Sequence, residues 1–210
     1  MLENISLPAN ISSALGSETK DFIVKANRVE PVKQSLFLVL YGLGITLVVG
    51  FIAFAFLGPL FQGEEVHFEA NGVPTVAGPD NLKPIIVPTF LLAFFVLIGG
   101  GMFTRGIYLL FKKGGYFVGT ATRLIQESNG TIRSIDWEQF SGDIEVKGNA
   151  QKGDISLKMR TGTVMKTKGG KETHMPDVVY LSGISNVFEI EQICRKRIKE
   201  NDPTPSIQNN

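Results

Sequence analysis

The residue types that most often carry catalysis are sparse in this chain. Two histidines, His67 and His174, stand more than a hundred positions apart. His67 falls among Glu64, Glu65 and Glu69 on a short segment, a composition that reads as solvated surface. His174 has no Cys or acidic partner at metal-ligand spacing. The single cysteine, Cys194, excludes an intrachain disulfide and suits a reducing compartment. It lies on the apolar side of an amphipathic stretch, where a thiol acts as a small hydrophobe. There is no G-x-S-x-G elbow and no P-loop, and Gly114-Gly115 and Gly169-Gly170 read as loop punctuation. The sequence therefore names no catalytic, cofactor-binding or metal-ligating residue, and the expectation is a protein that is not an enzyme.

The basic side chains are the better lead. Lys112 and Lys113 follow the second of two long apolar blocks, and Lys166, Lys168 and Lys171 crowd one polar segment. From Lys112 to Asp202 there are 15 basic and 12 acidic residues, a net of +3. An anionic lipid leaflet attracts each nearby Lys or Arg by about 1 kcal/mol, so these five lysines are the candidates for lipid-headgroup contact. A solvated loop is the competing reading of the second group. Formal net charge over the whole chain is +1, which gives no electrostatic footprint for nucleic acid.

The elements that would position these lysines begin with the two apolar blocks. Ser35 to Phe61 and Pro84 to Thr104 carry no charged side chain. About 20 helical residues cross a hydrocarbon core of about 30 Å. Between Leu36 and Leu57 stand 15 residues of Leu, Ile, Val or Phe, and between Ile85 and Thr104 another 12. At roughly −0.3 to −0.6 kcal/mol each, those of the first block favour insertion by at most about 4 to 9 kcal/mol. Neither block has a polar stripe at helical period. Residues 34–111 thus read as a transmembrane hairpin with an outer loop at 62–83. The first block is no cleavable signal, since more than thirty residues precede it. No Asp, Glu, Lys or His lies mid-span, which argues against an ion pathway. Glycines at 42, 44 and 50 and at 99 to 101 let helices approach closely, within the hairpin or in a homo-oligomer, and the second set also reads as a joint.

Orientation follows from flanking cations. Lys20, Lys25, Arg28 and Lys33 precede the first span, and Arg105, Lys112, Lys113 and Arg123 follow the second. The loop between holds Lys83 against Glu64, Glu65, Glu69 and Asp80, a net of −3. Both termini are expected in the cytoplasm, with the short loop facing outward.

Residues 1–33 read as a cytoplasmic lead-in, loose over the first 20. Glu18 to Glu30 reads either as a short interfacial helix ended by Pro31 or as an unstructured stretch. The outer loop suggests a hairpin around Asn71-Gly72. Residues 112–202 read as one β-rich domain. Strands are expected over Tyr116 to Thr120 and Thr122 to Glu127, then a turn at Ser128-Asn129-Gly130, then Thr131 to Ile135. Trp137 and Phe140 supply large anchors. Asp143 to Lys147 and Asp154 to Arg160 alternate as half-buried strands do. Lys166 to Pro176 reads as a loop and Asp177 to Leu181 as the last strand. Asn186 and Glu189 suggest a capping box for a terminal helix with Val187, Ile190, Cys194 and Ile198 on one face. Asp202-Pro203 stops it, and 203–210 reads as a disordered tail.

The stretch Tyr116-Phe117-Val118-Gly119-Thr120-Ala121-Thr122-Arg123-Leu124-Ile125, the segments GDIEV and GDISL, and Leu181-Ser182-Gly183-Ile184-Ser185-Asn186 before the helix resemble the bacterial pleckstrin-homology-like (PH-like) domains, which are often attached to membrane spans. The resemblance covers about 90 of the 210 residues. It implies a seven-stranded, strongly bent antiparallel sheet capped by the terminal helix, and it implies no catalysis. The expected function is a membrane-anchored PH-like module that tethers a protein partner or contacts the membrane surface. An accessory subunit of a larger membrane complex, for transport or envelope maintenance, is the alternative. The expected partners are the lipid bilayer, an unidentified protein and a second copy through the spans.

Overall fold

A computed structural model describes residues 7–149, 151–166 and 172–203. The chain divides into two compact units, one formed by residues 1–31 with 111–210 and the other by 32–110.

The second unit is a pair of helices. α2 spans Val32–Phe61 and α3 spans Ile86–Phe111. A shorter helix, α1, precedes them at Ala9–Leu15. Between Lys33 and Gln34 at the start of α2 and Arg105 near the end of α3, both helices lack a polar stripe, and only 11% of the most apolar window of either is buried. Phe51, Phe54 and Phe90 are each more than 70% exposed, which a helix in the core of a water-soluble protein would not tolerate. The two helices meet through glycine. A methyl group on Gly42 would stand 2.5 Å from the Phe103 nitrogen, and one on Gly106 would stand 2.8 Å from the Val39 nitrogen. Gly99, Gly100 and Gly101 lie within unbroken α3, so this triplet is helix and not a joint.

The segment between the helices folds as the Asn71-Gly72 signal suggests. β2 (Val66–Ala70) pairs antiparallel with β3 (Val73–Ala77). Asn71 and Gly72 take φ of 53° and 79°, the left-handed pair that a two-residue hairpin turn requires.

The first unit is β-rich. It holds β1 (Lys20–Lys25), β4 (Tyr116–Thr120), β5 (Arg123–Ser128), β6 (Thr131–Asp136), β7 (Phe140–Gly148), β8 (Lys152–Lys166), β9 (Glu172–Ser185) and the terminal helix α4 (Val187–Glu200). The strands form an antiparallel sheet ordered β1-β4-β5-β6 and another ordered β7-β8-β9. Alternation puts Phe22, Phe117, Leu124, Leu157 and Leu181 in one core, which Val187, Ile190, Cys194 and Ile198 of α4 complete. Trp137 is fully buried there, its ring tilted by 43° against Phe140 with centroids 5.6 Å apart, and it donates its indole N–H to the Thr120 carbonyl at 2.8 Å. The opposite face of the four-stranded sheet is also covered, by Ile11 and Leu15 of α1 over Val118 and Ile125.

Three expectations need correction. Residues 18–30 are not an interfacial helix or an unstructured lead-in. Lys20 to Lys25 is the edge strand of the four-stranded sheet, in register with Thr120 to Tyr116. Phe22 and Val24 then reach the core while Ile23 faces the other side, packed with the α1 cluster. With α1 ahead of it, the described part of the first 20 residues is not loose either. Second, 166–176 is not wholly loop, because β8 runs to Lys166 and β9 starts at Glu172, with Thr163 opposite Met175 and Lys166 opposite Glu172. Third, Asn186 stands at φ 52° and makes no side-chain cap, so the Asn186–Glu189 capping box does not form. Burial of the apolar face of α4 holds the helix without it. The tail expected to be disordered lies outside the described residues from 204 onward.

Candidate functional site

No cluster of three or more His, Cys, Asp or Glu that could hold a metal ion occurs among the described residues. His67 lies 3.8 Å from Glu65, both side chains largely in solvent, where an ion pair contributes little. His174 stands opposite Val164 on a β-ribbon. Cys194 is buried against the sheet, and burial, with a smaller effect of Glu191, pushes its thiol up to about 12. That is the setting of an inert core cysteine. The other shifted groups are held by neighbours on the surface. Arg123 donates to Glu18 and keeps that carboxyl below its ordinary value, Lys147 does the same for Glu145, and Asp143 raises Lys158.

The candidate lysines divide. Lys112 is half-buried and Lys113 exposed, just before β4. Backbone pairing continues from the β1–β4 ladder into this stretch, since Ala26 N–H donates to Gly115 O at 2.9 Å and Val29 N–H to Lys112 O at 3.4 Å. The two connections to residues 32–110 therefore leave the four-stranded sheet side by side. Lys166 belongs to the other sheet, at the end of β8, and pairs with Glu172 at 3.5 Å. Lys168 and Lys171 lie outside the described residues.

Among the described residues, the ribbon formed by 162–166 and 172–176 has no third strand beside it. It carries Val164, Met165 and Met175, each 54% exposed. Thr163, Met165, Thr173 and Met175 share one face by their register, and Val164, Lys166, Glu172 and His174 share the other. A free two-stranded ribbon is marginal in water, which makes its exposed methionines a candidate contact surface. β9 also runs antiparallel to the chain at Arg28, which bridges Ser182, and Glu30 shares a cleft with Tyr180. The ribbon thus continues on the side of this unit where the chain leaves at Pro31. Alternation is faint here because both faces are wet, and the two methionines are the signal that the sequence held.

Two concavities were not legible in the sequence. One is a polar cleft of about 210 Å3 in the β-rich unit, lined by Glu30, Gln126, Arg133 and Val178 to Tyr180. It is smaller than the roughly 300 to 1,000 Å3 of ordinary ligand pockets. The other, within residues 32–110, is an apolar groove of about 700 Å3 between the end of α2 and the start of α3.

Comparison of the chain with protein-family models, with curated proteins and with solved structures finds no match.

Proposed function

We propose that this chain is a non-enzymatic, membrane-anchored PH-like module that tethers a protein partner to the membrane or rests on the membrane surface. The observation that carries the reading is the place of the apolar hairpin in the fold. Residues 32–110 are inserted between two strands, β1 and β4, that pair with each other. Lipid that solvates α2 and α3 therefore secures the module through two adjacent strands rather than through one free linker. The PH-like assignment is supported by sheets of four and three antiparallel strands, seven in all, followed by a helix that closes their shared core. The β8–β9 ribbon is the contact element, with Met165 and Met175 exposed on one face and Lys166, paired with Glu172, on the other.

The proposed location is the bacterial inner membrane with both termini in the cytoplasm. The test uses the Cys194→Ala chain bearing a cysteine at Glu64 or at Thr173, treated in intact cells with an impermeant maleimide. Labelling at 64 and protection at 173 until lysis is the expected result. The reverse pattern overturns the orientation, and a chain that stays in the supernatant after high-speed centrifugation overturns membrane anchoring. Crosslinking in native membranes followed by mass spectrometry then reads the partner.

The second reading, an accessory subunit of a larger membrane complex for transport or envelope maintenance, is favoured by Gly44, Gly50, Gly100 and Gly101, each with open space where a side chain would stand. Such faces accept another helix closely. A stoichiometric membrane partner retained in mild detergent supports it.

A further inference from the structure

We infer that the apolar groove between α2 and α3 holds one acyl chain of an aminophospholipid, with the lipid phosphate at Lys83 and its ammonium at Asp80. The inference rests on the reading that both helices span a bilayer, and it adds a defined ligand to them. The groove is walled by Leu57, Leu60 and Phe61 of α2 and by Ile86 and Phe90 of α3, with Ala93 at its far end. Its volume of about 700 Å3 lies in the roughly 300 to 1,000 Å3 range of ligand pockets. Nothing charged lines it, so it suits a hydrocarbon.

The rim decides which hydrocarbon. Pro79 and Leu82 close one end of the groove. They belong to a tight turn in which Gly78 and Asn81 exchange backbone hydrogen bonds at 3.3 and 3.0 Å. Asp80 directly follows Pro79, Lys83 directly follows Leu82, and both side chains are exposed. Lys83 also starts the 3-10 turn Lys83–Ile85 that leads into α3. The rim therefore offers one cation, Lys83, with Asp80 three residues away and the Glu65 carboxylate beside Gly78 of the same turn. Lys83 is the one basic residue between Gln62 and Lys83, against four acidic ones. A purely anionic headgroup would meet net repulsion there. A zwitterionic headgroup with hydrogen-bonding ammonium matches both signs, whereas the methylated ammonium of a choline lipid cannot donate to Asp80.

The test is native mass spectrometry of the full chain released from nanodiscs of equal parts phosphatidylethanolamine, phosphatidylcholine and phosphatidylglycerol. One retained phosphatidylethanolamine per chain is expected. Lys83→Gln and Asp80→Asn should each lower its retention by about tenfold, the scale of one charge-assisted contact. Ala93→Phe, which fills the groove, should abolish it. Equal retention of the three lipids, retention unchanged in Ala93→Phe, or a lipid-free dimer overturns the inference. Circular dichroism and the Trp137 emission of each variant, compared with the parent, show that the fold survives. A chain that pellets with membranes yet keeps no lipid sinks this inference alone, while a chain that never enters the nanodisc sinks the anchoring beneath it.

Discussion

At the scale of single residues the clearest chemistry is an absence of reactivity. Cys194 is fully buried between α4 and the sheets, and that burial raises its thiol to about 12 from an ordinary value near 8.5. Above pH 8.5 the unfolded chain releases this proton while the folded chain keeps it. Stability therefore falls as pH rises from 8.5 toward 12, by at most about 1.4 kcal/mol per unit. Denaturant titrations at pH 8 and pH 10 should show the advantage of the parent chain over Cys194→Ala shrinking at the higher pH, and a thiol reagent should reach Cys194 only on unfolding. Other residue-scale anchors were legible for the same local reasons. Asn71-Gly72 supplies the positive φ its turn needs, and Trp137 is large enough to demand a core together with a partner for its indole N–H. A capping residue is recognised by type, whereas Asn186 takes a left-handed backbone, φ 52°, from which its side chain makes no cap.

At the scale of elements, what could be read depended on whether the partner was near in sequence. β5 and β6 adjoin through a two-residue turn, and their register follows from it. β1 has its partner some ninety residues away, with no local trace of the pairing. Its apolar positions 22, 23 and 26, with Val29, also fit one side of a helix, because both faces of this edge strand are covered. The extended ends of β8 and β9 failed the opposite way, since a ribbon wet on both faces loses the alternation that betrays a strand. The placement of β1 can be tested through Gly119. A methyl group there would lie 2.2 Å from Cε1 of Phe22, so Gly119→Ala must displace that ring, at a cost of about 1 to 3 kcal/mol. Combining it with Phe22→Leu should cost less than the sum of the two changes, read as a coupling in urea titrations. Additive losses would mean that Phe22 does not sit over Gly119.

At the scale of the molecule, one covalent path joins two units of opposite surface character. Residues 32–110 expose apolar surface that water does not accommodate, while residues 7–31 and 111–203 enclose their own core and meet solvent with paired charges such as Asp21 and Arg197, bidentate at 2.7 Å. The sequence announces the first part by composition alone. The second part is discontinuous, so the stretch from 112 to 202 that looks like a domain lacks one edge strand. The consequence is specific. Because Val29 N–H already donates to the Lys112 carbonyl just beyond the β1–β4 ladder, replacing residues 30–111 with an Asn-Gly turn should close β1 and β4 into an ordinary hairpin. That shortened chain should be soluble without detergent, unfold in a single cooperative step and keep the blue-shifted emission of buried Trp137. A chain starting at Lys112, which lacks Phe22, Val24 and the Asp21 partner of Arg197, should aggregate or lose that emission. If both versions fold equally well, β1 adds nothing essential and the module hangs from α3 alone. If neither folds, the β-rich unit requires the helices for more than attachment, and lipid becomes part of its folding environment.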